Sequence, residues 1–315
     1  MNAKNIGRIA NDYRAVIIMV AFALVLGLVN PTFLQLSNIT NILNQSSVNA
    51  LLAAGLTIVI LTGGIDISVG SILGFTGAIA AIMLVGGIPV LVVVPTVLAI
   101  GVLAGALNGL FISRWSLQPM IVTLASLSIF RGATYLVTNG SPLTVNDAAF
   151  NFIGGGSLFG AIPMPVVLMV VVFALAYYLL TRTPFGRHIY AVGGNEDAAY
   201  LSGVSVRRTK LLAYSLSGLG AALAGIVVTS RLTSAQPLAG QSYELDAIAA
   251  AVIGGTSLKG GSGRILLTVV GALIIGMLNN ALNLMNVPSY YQTIVKGVVI
   301  LAAVLVDAAE ARQKS

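Results

Sequence analysis

The chain is a succession of long apolar segments separated by short polar connections, and this pattern limits the folds open to it. A bilayer hydrocarbon core about 30 Å thick needs about 20 helical residues to cross it. Backbone groups inside that core must hydrogen-bond within the chain, so apolar segments of this kind form helices. Several segments are short or meet at Gly-rich junctions, so the sequence defines the number of spans to within about two. We predict an all-α, polytopic membrane protein of about ten spans, at residues 15–34, 41–62, 68–86, 88–113, 119–138, 165–181, 210–231, 244–257, 265–285 and 290–306.

The composition agrees with a membrane location. Hydrophobic residues make up 57% of the chain and charged residues 8%, which is too apolar for a soluble domain of this length. The 35 glycines suit membrane helices that pack closely. The absence of cysteine excludes disulfides, thiolate catalysis and cysteine-ligated metals. The net charge of +7 is spread in small groups, so we attribute it to membrane orientation and expect no nucleic-acid partner.

The distribution of basic residues predicts which side each connection faces. The first 30 residues have the basic leader and apolar run of a signal peptide, but no small-x-small cleavage site follows them. We therefore expect an uncleaved first span with its N-terminus inside. Within the spans, Arg131, Arg231 and Lys296 lie toward the outer ends. The positive-inside rule then predicts ten spans in a single domain over residues 1–315, with both termini cytoplasmic. The other basic residues all fall on the inner side, namely Lys4, Arg8, Arg14, Arg114, Arg182, Arg187, Arg207, Arg208, Lys210, Lys259, Arg264, Arg312 and Lys314.

The largest predicted inner connection, residues 184–210, contains a short capped helix. Asn195 is suited to cap it, and Glu196 and Asp197 fall in its first turn, where the helix dipole favours anions. Gly203 is suited to end it in the left-handed conformation. An inner loop collects basic residues in any case, but a capped helix goes beyond that, and it suggests a contact for a cytosolic protein. The segment consists of Gly193, Gly194, Asn195, Glu196, Asp197, Ala198, Ala199, Tyr200, Leu201, Ser202 and Gly203.

Two Gly-rich stretches share one spacing. GGIDISVGS at residues 63–71 and GGTSLKGGS at residues 254–262 both fit GG-x5-GS. Both join the inner ends of two predicted spans. We predict that they are one element used twice, as in transporters built from internal repeats. The alternative is coincidence in a chain where glycine simply permits tight turns.

Three long blocks carry a resemblance to a known family. They are NQSSVNALLAAGLTIVILTGGIDISVGS, TPFGRHIYAVGGNEDAAYLSGVSV and SAQPLAGQSYELDAIAAAVIGGTS. They resemble the ribose-type permease subunits of bacterial ATP-binding-cassette (ABC) sugar importers, and the likeness covers nearly the whole chain. It implies a multi-pass protein of the bacterial inner membrane that forms the pathway for a monosaccharide.

The resemblance also implies partners. These are a second copy of the permease, a cytoplasmic ABC ATPase whose two nucleotide-binding domains are often fused, and an external sugar-binding protein. It assigns the helix from Asn195 to Ser202 as the coupling helix that fits a groove on the ATPase. We expect Ala199, in the middle of this helix, to face that groove. The longest outer connection, Asn139 to Pro165, is expected to form part of the floor on which the binding protein docks.

Catalytic motifs are absent from the sequence. It lacks the P-loop pattern G-x-x-x-x-G-K-[ST], so ATP and Mg²⁺ are expected on the partner ATPase and no cofactor in this chain. It also lacks H-E-x-x-H, and the single histidine, His188, lies in a predicted inner loop. No serine has a histidine partner within a predicted span, which argues against a serine hydrolase. We predict a transport subunit and not an enzyme.

Ionisable and amide side chains within or beside the spans are candidates for the pathway or its outer mouth. Charges in spans are costly and often functional. The alternatives are snorkelling for Arg231 and Lys296, and helix N-terminal charge for Glu244 and Asp246. We expect Asp66 to cap the third helix. For the asparagines at 279, 280 and 283 we favour helix packing over contacts with sugar hydroxyls, which amides also suit. The candidates are Asp66, Arg131, Arg231, Glu244, Asp246, Asn279, Asn280, Asn283 and Lys296.

The sequence is also compatible with two other classes of protein. An ion-coupled secondary sugar carrier can share the repeat and the buried charges, but it has no use for a capped inner helix. A structural or regulatory membrane protein transports nothing. The resemblance favours ribose as the sugar, because TNGSPLTV and YELDAIAA lie in blocks most like the ribose-type subunit, while galactose, xylose and other pentose systems are close relatives within the family.

Overall fold

The computed structural model describes the backbone of residues 14–313 and the side chains of residues 15–305. Within that range the chain is almost entirely helical. A 3-10 turn at Pro31–Leu34 joins the first two helices, and four two-residue strands form two small antiparallel pairs. The helices are α1 Arg14–Val29, α2 Leu36–Leu61, α3 Val69–Val85, α4 Val90–Trp115, α5 Pro119–Thr138, α6 Ala148–Gly155, α7 Met164–Arg182, α8 Pro184–Gly194, α9 Glu196–Leu201, α10 Val206–Arg231, α11 Tyr243–Ile253, α12 Ile265–Leu284 and α13 Ser289–Gln313, and the strands are β1 Leu143–Thr144, β2 Ser157–Leu158, β3 Ile162–Pro163 and β4 Ser234–Ala235.

Each of the ten predicted apolar segments corresponds to one helix. Six of these helices, α2, α4, α5, α7, α10 and α12, are long and apolar enough to cross a membrane. The apolar parts of α1, α3 and α13 are shorter. The 11 residues of α11 span only about 16 Å, roughly half of a bilayer core. The all-helical, multi-span prediction is confirmed, whereas the count of ten crossings stays a prediction.

The centre of the molecule is formed by α2 and α10. From Ser46 to Leu61 every residue of α2 is buried, and most of α10 is buried too. Glycines at positions 101, 105 and 109 of α4 face α10. A Cβ atom on Gly105 would lie 2.1 Å from the carbonyl oxygen of Tyr214, so only glycine permits this close approach.

The outer helices present apolar side chains at the surface. Leu91 on α4, Leu136 on α5 and Leu175 on α7 are all largely exposed. A soluble protein would cover such residues, whereas a membrane protein places them against lipid tails. The exposed surface of α4, α5 and α7 is therefore suited to a bilayer.

The connections separate into two ends of the helical bundle. One end, which we call the α9 end, contains α8, α9 and the turns after α2 and α11, and the nitrogen of Gly261 donates to the carbonyl of Leu61 there (3.0 Å). At the opposite end β1 pairs with β4, with Leu143 across from Ala235. The connections predicted to lie inside are at the α9 end, and those predicted to lie outside are at the opposite end. Among the predicted inner basic residues, Lys4, Arg8 and Lys314, and the side chains of Arg14 and Arg312, lie outside the described residues.

Candidate functional site

The short helix at the α9 end has the local structure that its sequence predicts. The Asn195 side chain accepts a hydrogen bond from the backbone N–H of Ala198 (2.9 Å) and caps α9. Glu196 and Asp197 occupy the first turn. Gly203 has a φ of +85°, so it takes the left-handed conformation expected of it.

The outward face of α9 is not the one expected. Ala199 is only 5% exposed and packs with Val192 and Val206, so the prediction that it faces a partner groove is wrong. The side chains that point away from the protein are Tyr200 (71% exposed) and Leu201 (84% exposed). A helix that lies on the protein surface turns one face inward, and in α9 the small Ala199 side chain is on that face, against α8 and α10.

Two contacts fasten this region to the long helices. Lys210 at the start of α10 forms an ion pair with Glu196 (2.6 Å). Gly193, near the end of α8, lies so close to α2 that a Cβ atom there would be 1.8 Å from the carbonyl oxygen of Leu61. The segment that carries α9 is therefore held directly against the ends of α2 and α10.

The two Gly-rich stretches meet beside α9. A Cβ atom on Gly260 would lie 2.7 Å from the nitrogen of Gly63, so the two turns are in backbone contact. Their conformations differ at the paired glycines, because the first of the pair, Gly63, is left-handed in one turn and the second, Gly255, in the other. The shared location agrees with the prediction, and the internal repeat stays a prediction.

Asp66 lies in the turn between α2 and α3 and is fully buried. Its Oδ1 accepts from the nitrogen of Ser68 (3.1 Å) and from the hydroxyl of Ser68 (2.6 Å), and its Oδ2 accepts from the hydroxyl of Ser217 on α10 (2.8 Å). The Ser68 hydroxyl in turn accepts from Asn108 on α4 (2.9 Å), which accepts from Ser126 on α5. Asp66 thus fixes the residue before α3, close to the expected capping role, and also links three other helices.

A polar cavity of 430 Å³ lies at the opposite end of the bundle. Seven carboxamides, three charged side chains and Tyr243 line it. The amides on α2 are Asn41, Asn44, Gln45 and Asn49. Asn44, Gln45 and Asn49 follow Asn41 by three, four and eight positions, which puts all four on one face of the helix. This spacing is a signal in the sequence that our prediction missed.

The predicted outer charges divide into two groups, and the larger one is in this cavity. Asp246 forms an ion pair with Lys296 (3.0 Å). The amide nitrogens of Asn279 and Asn49 approach the same carboxylate oxygen at 3.4 and 3.5 Å, which is long for hydrogen bonds. Arg231 also lines the cavity and donates to the carbonyl of Asn44 (3.3 Å). Asp246 and Lys296 are therefore paired in this cavity, with Arg231 beside them, and their role at the outer mouth of a pathway stays a prediction.

Besides Asp66, three predicted candidates do not line the cavity. Arg131 donates to the backbone carbonyls of Ala239 (2.7 Å) and Pro237 (3.3 Å), and Glu244 packs against α3. Asn280 points to the other side of α12 and forms two 2.9 Å hydrogen bonds with Asn38. Asn279 and Asn283, by contrast, do face the cavity. The packing alternative holds for Asn280 because residues adjacent on a helix point about 100° apart.

The long connection from Asn139 to Pro165 packs against α10 through its short helix α6, and its docking role stays a prediction. Asp147 caps α6, and the Phe150 side chain is buried completely. The hydroxyl of Ser230 accepts from the nitrogen of Gly154 (2.6 Å), which anchors α6 to α10. Phe159, 93% exposed, marks the part of this connection that is free for contact.

Comparison with known proteins identifies the family. Residues 38–304 match the family described as the permease component of branched-chain amino acid transport systems. The ribose import permease protein of Haemophilus influenzae is 51% identical over 306 residues, 96% of this chain and 94% of that protein. The ribose import permease protein of Bacillus subtilis is 52% identical over 286 residues, 90% of this chain and 88% of that protein.

A more distant relative transports another sugar. The D-allose transport system permease protein of Escherichia coli is 41% identical over 301 residues, 94% of this chain and 91% of that protein. No solved structure matches the chain at a significant level. The matches extend over nearly the full length of the chain, from α2 to α13. The chain therefore belongs to this family of permease components, which are multi-pass transport subunits of the bacterial inner membrane and not enzymes.

Proposed function

We propose that the chain is the membrane-spanning permease of a binding-protein-dependent ABC importer and that its sugar is ribose. The observation that carries the proposal is the identity of about half of the aligned positions with two ribose import permeases, over 96% and 90% of the chain. The D-allose permease is similar over an equal length but at lower identity. Since the identity falls when the sugar differs, ribose is the best-supported substrate.

The proposal includes the topology of the chain. Residues 1–315 form one permease domain that crosses the membrane ten times, with both termini in the cytoplasm. Support comes from the ten apolar helices and from the basic residues, because the described members of the predicted inner set all lie at the α9 end. Two copies assemble as a homodimer.

Energy comes from a cytoplasmic ABC ATPase with two nucleotide-binding domains, which binds ATP and Mg²⁺. We propose that α9 is its coupling helix and that Tyr200 and Leu201 enter a groove on the ATPase. An apolar pair exposed on an otherwise polar tip is suited to such a contact. The sugar-binding protein docks at the opposite end, near Phe159.

Reconstitution tests the proposal against its main alternative, an ion-coupled carrier. The permease, its ATPase and its binding protein are placed in proteoliposomes, and uptake of labelled ribose is followed with ATP or with an ion gradient. We expect uptake that needs ATP and the binding protein and that survives ionophores. Uptake that an ionophore abolishes, or that proceeds without ATP, would show that the chain is a secondary carrier.

Copurification gives a second test. Mild detergent extraction of the tagged permease is expected to bring down a nucleotide-binding protein. A permease that transports ribose but never retains such a protein would contradict the assigned coupling role of α9.

A further inference from the structure

We propose that the polar cavity binds one monosaccharide directly, with the Asp246 carboxylate as the principal acceptor for sugar hydroxyls and Lys296 as its counter-ion. This inference rests on the proposed function, since it takes the transported solute to be a sugar. It adds a sugar site within the membrane subunit, separate from any site on the external binding protein.

The cavity has the size and the chemistry for such a ligand. Its 430 Å³ corresponds to about fourteen water molecules at roughly 30 Å³ each, so a monosaccharide fits with some water retained. Each sugar hydroxyl both donates and accepts hydrogen bonds, and a carboxamide does the same through separate atoms. A lining of carboxamides therefore matches a polyol in any of several orientations.

Unpaired acceptors inside the protein also point to a ligand. The Oδ1 atoms of Asn44 and Asn279 are buried and have no hydrogen-bond partner among the described residues. Buried polar atoms are normally paired, and leaving them unpaired is costly. Both side chains line the cavity, so rotation of either amide toward it would let a sugar hydroxyl supply the missing donor.

Asp246 is placed to be the strongest acceptor. It is 2% exposed, and Lys296, Asn279 and Asn49 all contact its Oδ2 atom. That arrangement leaves Oδ1 to accept from a sugar hydroxyl. Hydrogen bonds to a charged acceptor are about twice as strong as neutral ones. Lys296 compensates the buried charge from α13 and, being partly exposed, can move aside when a ligand enters.

The matched pair Asn279→Ala and Asn280→Ala tests direct binding. The two residues are adjacent on α12, but only Asn279 faces the cavity. The purified full-length permease in lipid nanodiscs is mixed with ribose, and binding is measured by saturation-transfer NMR, which detects millimolar affinity. We expect wild type and Asn280→Ala to bind, and Asn279→Ala to bind roughly tenfold more weakly or not at all. No signal from wild type, equal signals from both variants, or loss in both would overturn the proposal.

A neutral pair separates sugar binding from a purely structural ion pair. The double variant Asp246→Asn with Lys296→Gln keeps a hydrogen-bonded contact between α11 and α13 without charge. We expect normal assembly and melting temperature, but ribose binding weakened roughly tenfold to a hundredfold and uptake by the complete transporter lowered. Unchanged binding would show that the pair only joins two helices. If the wild-type transporter does not import ribose with ATP, the proposed function is wrong. If wild type imports ribose and the double variant imports it equally well, only the sugar site is wrong.

Discussion

Asp66 is the residue whose burial is hardest to explain by packing alone. It lies in the turn between α2 and α3 and accepts hydrogen bonds from Ser68 and Ser217. Burial raises the pKa of its carboxyl group above 3.8, while the three hydrogen bonds oppose that shift. Ionising this buried carboxyl group therefore costs free energy of folding, whereas its hydrogen bonds stabilise the turn.

Asparagine and leucine at position 66 separate these two contributions. Asp66→Asn keeps an acceptor for Ser68 and places an amide against the hydroxyl of Ser217, which can accept. We expect its free energy of unfolding to stay within about 1 kcal/mol of wild type, whereas Asp66→Leu loses about 3 kcal/mol or more because buried hydroxyl and amide groups lose their partner. Apparent melting temperatures in detergent measure both variants. Equal losses in both would show that the charge itself is required.

The pH dependence follows from the raised pKa. A carboxyl group whose folded pKa exceeds its unfolded pKa contributes stability at low pH, and that contribution is lost as pH rises through the folded pKa. Wild type should therefore gain stability relative to Asp66→Asn as the pH falls.

The sequence predicts the capping roles of residues better than it predicts the direction in which their side chains point. The roles of Asn195 and Gly203 follow from capping, which depends on a few neighbouring positions, so they were predictable. The orientation of Ala199 and the difference between Asn279 and Asn280 depend on which way a helix is rotated. The helix α12 is apolar on most sides, so its sequence offers no amphipathic pattern to fix that rotation, and α9 is too short to show one.

Among the elements, α9 has one face against the protein and one exposed. Leu201→Arg places a charge on the exposed face, so we expect the permease to fold and dimerise while ATP hydrolysis no longer responds to the loaded binding protein. Arg208→Gln, on the exposed basic flank, is the control and should couple normally. The ATPase activity of the reconstituted complex, with and without the binding protein, measures both. Normal stimulation of ATP hydrolysis in Leu201→Arg would show that α9 is not part of the contact with the ATPase.

Ala199→Arg is not a clean test of coupling. Its side chain would enter the small cluster with Val192 and Val206, so a loss of transport would also arise from local misfolding.

The close packing of α8 against α2 depends on one glycine. Gly193→Ala would force a methyl group against the carbonyl of Leu61, so the two backbones must separate, at a cost of about 1–3 kcal/mol or more. Gly194→Ala is the matched control, because a Cβ atom there meets nothing within 4 Å. We expect a lower melting temperature and weaker coupling for Gly193→Ala alone. Similar behaviour in the two variants would mean that the close approach is not required.

For the whole molecule, the sequence predicts which segments are helical better than it predicts where each helix ends. All ten apolar segments became helices, since a long apolar run has few alternatives. The segment at residues 244–257 shows the limit, because its helix ends at Ile253 and the remainder is a Gly-rich turn. Hydropathy reports how apolar a segment is, whereas Gly254 and Gly255 end this helix, and Gly255 takes the left-handed conformation.

The ten-crossing topology can be tested residue by residue because the natural chain has no cysteine. We expect Ser202→Cys and Lys259→Cys, at the α9 end, to react with a membrane-impermeant maleimide only from the cytoplasmic side. Phe159→Cys and Leu238→Cys, exposed at the opposite end, should react only from outside. Positions 238 and 259 flank α11, so their labelling decides whether this short helix and its turn together cross the bilayer. If both were labelled from one side, α11 would re-enter without crossing, the number of spans would be nine, and the two termini would lie on opposite sides of the membrane.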